Sequence, residues 1–408
     1  MNLLFDFITL SDQTGTGVYT RRVLLYLLDY ISNNSITNIN LYALYDSTRG
    51  IAYSDLCEEK LSPEYGVIYC DICKKNIDSI IKENNIDRFF IACAQYVGNY
   101  PHISEIKCEV ICVTHDLCFE EWYQNNLNFY FYQMQIGFKW PIIGYNPINL
   151  ILHPKNDITR LVRWIVREVL SHTSEKLTHS MNSIVELVRN NEHVQLITVS
   201  DYTRTSFLYN FGIDENRIKV LWSPEREHID PIGVKDPGLK KVLEQKIKYL
   251  LMVSANRSYK NGLKVLNAFR KFSDYNNDYY IVTVGYGKKT SDRHIDLNYL
   301  SDSDLSLAFA NCNSLIYPSF FEGFGYPPLE AMKYNKPVLI SNTTSLPDIF
   351  GDAPIYFSPL YETSIFEALQ KFVKADYANL SYKSRERYEL IKHRQDADLK
   401  QLVSILIS

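Results

Sequence analysis

Residues 317–332 read YPSFFEGFGYPPLEAM, a stretch that combines aromatic residues, two glycines, two glutamates and a pair of adjacent prolines. Its first residues end a predicted strand, its two glycines lie in a loop, and Pro327-Pro328 marks the start of a predicted helix. A helix start carries unpaired N–H groups and the positive end of the helix dipole, so this junction can bind an anion. The stretch therefore predicts an α/β fold with a ligand site at the loop.

Strand-like and helix-like runs alternate on both sides of this stretch. The predicted strands span residues 2–9, 38–45, 88–94, 110–114, 249–254, 280–284 and 314–317, and the clearest helices span residues 19–30 and 263–272. Alternation of this kind is typical of βαβ units, which build parallel sheets. The predicted fold class is α/β, with two Rossmann-like, doubly wound units.

The length of 408 residues exceeds what one ordinary hydrophobic core supports, so we predict two domains with a cleft between them. The predicted N-terminal domain spans residues 1–222, with an atypical, mostly helical part at 122–191. The C-terminal domain is predicted at 223–385 and starts with a hinge at 223–238, whose sequence, SPEREHIDPIGVKDPG, contains three prolines. A final helix at 386–408 is expected to pack on either domain, including back on the N-terminal one.

Composition narrows the class of protein. With 46% hydrophobic residues and a net charge of −4, the chain is typical of a soluble globular protein and has no basic field for nucleic acid. The first residues do not resemble a signal peptide and no apolar run reaches the ~20 residues of a membrane span, so we expect a cytoplasmic protein. Cys70 and Cys73 form one isolated pair, which cannot complete a zinc site.

One predicted helix, at residues 158–170, is amphipathic and basic, with Arg160, Arg163 and Arg167 on one face. Two interpretations stay open. Either the basic face contacts the inner face of the cell membrane, or it is exposed to solvent while the helix packs over its own domain.

Two carboxylates in the 317–332 stretch, Glu322 and Glu330, are eight positions apart. One is predicted in the loop and the other a turn into the helix, which suits two separate hydroxyl-binding contacts along an extended ligand better than a general-acid pair. Glycines 323 and 325 leave backbone amides open to phosphate or sugar oxygens. The alternative is that Glu322 caps the loop and Glu330 is a surface residue of the helix.

The Glu-x7-Glu pattern in EGFGYPPLEAM resembles the signature of the retaining glycosyltransferases of the GT-B fold, the glycosyl transferases group 1 family (glycosyltransferase family 4-like). The segments LLMVSANRSYKNGLKVLNAF, IVTVGYGKK and KPVLISNTTSLPDIFGDAPIYFSP resemble that family's C-terminal domain in the same order, over residues 249–359. In the N-terminal half the resemblance is looser, in TGTGVYTRRVL, VTHDL and TVSDYTRTSFL.

The resemblance implies two Rossmann-like domains facing each other across a cleft and a nucleoside-diphosphate sugar as donor substrate, with no cofactor and no metal. It places Glu330 on the nucleotide ribose, and Lys260 and Arg257 on the diphosphate. The donor sugar would be held by Glu322 with the backbone of Gly323, Phe324 and Gly325, and faced by His115 from the other domain. Further donor contacts are implied at two N-terminal glycines, Gly15 and Gly17. The family's arginine often lies further ahead of the lysine than Arg257 does, so this spacing departs from the family's pattern.

The leading hypothesis is therefore a retaining, metal-independent hexosyltransferase of cell-surface polysaccharide biosynthesis, acting on a glycan or lipid-linked acceptor. The alternatives are another GT-B enzyme, such as a nucleotide-sugar epimerase or a glucan synthase, and a non-catalytic protein that binds nucleotide sugars. Asp302-x-Asp304 has a spacing that coordinates metal in other sugar transferases. Here it precedes a helical run, so we interpret it as a helix cap and first turn.

Overall fold

The computed structural model describes residues 1–11, 15–49, 67–94, 106–118, 121, 184–226, 233–255 and 257–408. The predicted basic helix at 158–170 and most of the segment 122–191 lie outside these residues. Among the helices described, none combines the length and the apolar character needed to cross a bilayer.

The N-terminal half forms a parallel sheet of seven strands in the order β3-β2-β1-β4-β5-β6-β7. The strands are β1 (Asn2–Asp6), β2 (Asn40–Tyr45), β3 (Ile68–Asp71), β4 (Arg88–Ile91), β5 (Glu109–Thr114), β6 (Val194–Thr198) and β7 (Ile218–Val220). The described helices beside it include α1 (Gly15–Asn33), α2 (Ile77–Glu83) and α3 (Asp201–Phe211). All four residues of β4 are buried, as expected for a central parallel strand covered on both faces.

The C-terminal half forms a second parallel sheet, of six strands in the order β10-β9-β8-β11-β12-β13. Its strands are β8 (Tyr249–Val253), β9 (Tyr280–Val284), β10 (His294–Leu297), β11 (Ser314–Tyr317), β12 (Val338–Ser341) and β13 (Ile355–Phe357). The helices are α4 (Pro237–Glu244), α5 (Gly262–Ser273), α6 (Asp302–Asn311), α7 (Tyr326–Lys333), α8 (Leu346–Phe350), α9 (Glu362–Lys374) and α10 (Tyr377–Ile407). The predicted α/β class with two doubly wound units is confirmed.

The first strand and first helix differ from the prediction. The strand ends at Asp6 and is followed by a 3-10 turn, Ile8–Ser11, where the sequence pattern had suggested strand to residue 9. The helix begins at Gly15 and not at residue 19 as predicted, so Gly15 and Gly17 lie in its first turn. The apolar run 7–10 misled the prediction because buried turns and buried strands share the same composition.

The last helix, α10, joins the two halves. It begins at Tyr377, so the predicted boundary at residue 386 falls inside a continuous helix of 31 residues. It packs against α7 of the C-terminal half and α1 of the N-terminal half, and the Arg88 guanidinium donates to the Ile405 carbonyl. Leu406, near its end, belongs to one hydrophobic cluster that includes Phe5 of β1 and Leu251 of β8. The two sheets are therefore held together by a shared apolar core.

Candidate active site

A cavity of about 310 Å³ lies between the two halves, at the carboxyl ends of the parallel strands. Open α/β sheets bind ligands at this edge. The cavity wall combines residues of both halves and of the connector between them: Gly15, Thr16, Val18, His115, Asp116, Val199, Ser223, Arg226, Val253, Ser254, Arg257, Tyr259, Lys260, Leu305, Tyr317, residues 322–327 and Glu330. Of the ten predicted site residues, nine are in this wall, and Gly17 is buried within α1.

The loop between β11 and α7 has the conformation that its glycines allow. Gly325 precedes α7 with a φ of 99°, a left-handed value that L residues rarely adopt. Gly323 serves a different purpose, because a Cβ atom added to it would lie 1.9 Å from the His115 carbonyl oxygen. Glycine at 323 thus allows the C-terminal loop to touch the end of β5 across the cleft.

The backbone of Glu322 is fixed by two hydroxyl groups. Its N–H donates to Thr344 Oγ1 at 3.1 Å, and Ser345 Oγ donates to its carbonyl at 2.8 Å. The backbone N–H of Glu322 is therefore already hydrogen-bonded within the protein. Sequence reasoning had not singled out Thr344 and Ser345, since nothing near residues 343–345 marks them as partners of a loop twenty residues earlier.

Lys260 and Glu322 form an ion pair in the cavity wall. Lys260 Nζ lies 2.5 Å from Glu322 Oε1, and the two side chains are 8% and 13% exposed. The ammonium also donates to the Tyr317 hydroxyl and lies 4.4 Å from the centre of that ring. A buried charge needs such partners, because desolvation alone would disfavour it. The Lys260 ammonium therefore lies beside the cavity, and its position is set by the Glu322 carboxylate and by the hydroxyl group and ring of Tyr317.

Arg257 follows β8 on the same side of the cleft and is exposed. Its guanidinium donates to the Tyr259 hydroxyl at 3.1 Å. Lys260 is the last residue of the 3-10 turn Ser258–Lys260, which follows Arg257 directly. Because of this turn, the two side chains both line the cavity although they are only three residues apart in sequence. The short spacing that departs from the family pattern therefore still brings two cations to one site.

His115 and Asp116 directly follow β5 on the opposite wall. His115 Nε2 donates to the Ala92 carbonyl at 2.9 Å, and burial lowers the pKa of the ring to about 4. The imidazole is therefore neutral near pH 7, with Nδ1 as a hydrogen-bond acceptor. Burial raises the pKa of Asp116 to about 6, with a smaller contribution from the Glu322 charge across the cleft. Asp116 follows His115 in the VTHDL segment and was not among the predicted site residues, so the structure adds it to the site.

Glu330 lies on α7, where its Oε1 accepts from Arg226 Nη1 at 3.1 Å. Arg226 Nη2 also donates to Asp302 Oδ1 at 2.9 Å. Sequence reasoning missed Arg226, because a charged residue in a proline-containing connector has no pattern that ties it to a helix a hundred positions later.

The Asp302-x-Asp304 segment opens α6 as predicted. The Ser301 side chain caps the helix, Asp302 pairs with Arg226, and Asp304 accepts from the backbone amides of residues 235 and 236. Within the described part of the chain, no cluster of three or more His, Cys, Asp or Glu side chains is placed to hold a metal ion.

Residues 239–389 match the family model for glycosyl transferases group 1. This part of the chain belongs to that family. O-antigen chain mannosyltransferase B of Escherichia coli is 31% identical over 181 residues, 40% of this chain and 47% of that protein. O-antigen chain mannosyltransferase RfbU of Salmonella typhimurium is 26% identical over 197 residues, 45% of this chain and 51% of that protein.

The chain thus spans about half the length of these curated relatives. Among solved structures, Anabaena HepE in complex with UDP-glucose superposes with a TM-score of 0.61 at 13% identity, covering 99% of this chain and 98% of that one. At this identity the likeness shows the fold alone. The group 1 domain and the N-terminal sheet together have the GT-B fold, as the sequence resemblance implied.

Proposed function

We propose that this chain is a retaining, metal-independent glycosyltransferase that moves a hexosyl group from a nucleoside-diphosphate sugar to a glycan or lipid-linked acceptor. The observation that carries the proposal is the single cavity that joins Lys260, Arg257, Glu322 and Glu330 of the group 1 domain to His115 of the other domain. The similarity to two O-antigen chain mannosyltransferases supports a role in cell-surface polysaccharide biosynthesis and makes mannose the first sugar to test.

The charges of the site suit transfer from a diphosphate. When the bond between the sugar and the diphosphate breaks, the leaving group gains negative charge, and fixed cations stabilise it in the transition state. Lys260 is held by Glu322 and Tyr317, so it needs little reorganisation to do this. Arg257 supplies the second cation, which is why the proposal includes no metal.

The hydroxyl groups of the donor have partners on both sides of the cleft. Glu330 is proposed to accept from the ribose, and Glu322 with the backbone of residues 323–325 to contact the sugar. On the N-terminal side, Nδ1 of the neutral His115 can accept a hydrogen bond from a sugar hydroxyl, because Nε2 carries the proton and donates it to the Ala92 carbonyl. Gly15 lines the same wall. Peripheral contact with the cytoplasmic face of a membrane stays a prediction, since it depended on residues 158–170.

A thermal-shift screen with GDP, UDP, ADP, TDP and CMP, followed by the matching nucleotide sugars, tests the donor part of this proposal. A ligand that binds only the folded state raises its melting temperature, so a selective shift with one diphosphate would name the donor class. Product analysis with that donor then separates transfer from epimerisation or polymerisation. Absence of a shift with every nucleotide would contradict the proposed site.

A further inference from the structure

Arg226 lies where the connector between the two domains passes the cleft. Its guanidinium bridges Glu330 and Asp302 and is 30% exposed. It lines the 310 Å³ cavity and also a smaller adjoining cavity of about 40 Å³. Because a planar guanidinium donates in fixed directions, two carboxylates on different helices hold it in one orientation.

The preceding residue makes a second, complementary pair. Glu225 accepts from Lys333 Nζ at 3.0 Å and from the Tyr388 hydroxyl at 2.6 Å. Lys333 and Glu330 are three residues apart on α7, so they lie on one face of that helix. Glu225 thus pairs with Lys333, and the adjacent Arg226 pairs with Glu330. These two ion pairs fix the position of the connector along α7.

Glu330 needs this support for any role as a hydroxyl acceptor. Burial raises the pKa of its carboxyl group, and the Arg226 charge opposes that rise. Arg226 occupies Oε1, and a carboxylate has a second oxygen that can accept from a ligand. A carboxylate that is ionised and held at one oxygen presents the other in a defined direction.

We propose that Arg226 is a positioning residue that orients the Glu330 carboxylate toward the ribose hydroxyls of the donor nucleotide. The residue would therefore set the preference of the site for ribonucleotides over deoxyribonucleotides. This inference rests on the proposed function, because it takes the ligand of Glu330 to be a nucleotide. It adds a residue from the interdomain connector to the donor site.

The test measures binding of GDP, UDP and ADP, each beside its 2′-deoxy form, to the full chain by titration calorimetry. A hydrogen bond to a charged group changes affinity by roughly tenfold or more, so the parent should prefer the ribonucleotide that it binds by about that factor. In Arg226→Gln this preference should fall to about twofold or less, and Arg226→Lys should retain an intermediate value. Glu330→Gln should lose the preference as well, and adding Arg226→Gln to it should change the ratio no further.

Arg204→Gln is the matched control, because Arg204 also contacts two carboxylates, Asp201 and Glu215, and is 31% exposed. It should leave the ratio between ribo and deoxy forms unchanged. If Arg226→Gln weakens both forms equally, its role is only structural and the inference is overturned while the proposed function stands. If the parent binds none of the diphosphates, the proposed function and this inference fail together.

Discussion

At the scale of single residues, Lys260 and Glu322 depend on each other because both side chains are largely buried. We expect Lys260→Met to lower the free energy of unfolding by about 3 kcal/mol, since it leaves a buried carboxylate without its cation. It should also lower turnover, because the leaving diphosphate loses a fixed positive charge. Chemical denaturation and initial rates measure the two effects.

The double variant Lys260→Met/Glu322→Gln separates stability from catalysis. Removing both charges should restore most of the lost stability, whereas turnover should stay low. A double variant as active as the parent would show that neither charge takes part in transfer.

Asp116 gives the site a dependence on pH that can be measured in the folding equilibrium. Its folded pKa, about 6, lies above the ~3.9 of an unfolded aspartate, so the folded state binds the proton more tightly. The stability contributed by this group is therefore gained as pH falls from about 6 to about 4 and lost as pH rises again. In Asp116→Asn the free energy of unfolding should depend less on pH between about 4 and about 6. Urea unfolding of both proteins at pH 4.5 and pH 7 checks this, and identical profiles would contradict it.

At the scale of elements, the glycine loop after β9 is shaped by one carboxylate. Asp296 accepts from the backbone N–H groups of Tyr286 and Gly287 at 3.1 and 2.7 Å, and from the Thr283 hydroxyl at 2.5 Å. We expect Asp296→Asn to lower the free energy of unfolding by about 1–3 kcal/mol, because an amide group cannot accept from all these donors. Asp292→Asn, in the same loop but fully exposed, should be neutral. Equal effects of the two substitutions would contradict the proposed anchoring.

The elements also show what the sequence could predict. Strands β5, β8, β9 and β11 were predicted within a residue or two, because continuous apolar runs in parallel sheets carry a strong signal. The stretch 317–332 was predicted as strand end, loop and helix because its glycines mark a loop and Pro327-Pro328 marks a helix start. The contacts of Arg226, Thr344 and Asp116 were not predictable, since each depends on how distant segments meet in three dimensions. The role of Gly323 likewise became visible only with the His115 carbonyl beside it.

At the scale of the whole molecule, the cleft depends on close contact between the domains at Gly323. We expect Gly323→Ala to lower kcat/KM by about tenfold or more, because the new methyl group collides with backbone and the two walls must move apart. The melting temperature should change little, because Gly323 belongs to none of the three hydrophobic clusters. Steady-state kinetics with the donor identified by the thermal-shift screen measures the effect. Unchanged kinetics would contradict the proposal that the contact at Gly323 positions the two walls for transfer.

Helix α10 offers a second test of how the two domains are held. Leu406 and Leu369 are both fully buried, but Leu406 belongs to the cluster shared by the two domains and Leu369 to a cluster confined to the C-terminal domain. Leu→Ala at either position should lower the free energy of unfolding by about 2–5 kcal/mol. Only Leu406→Ala should also loosen the cleft, raising the radius of gyration in solution scattering and the KM for donor. If Leu369→Ala produced the same changes, the interdomain core would have no special part in keeping the donor site assembled.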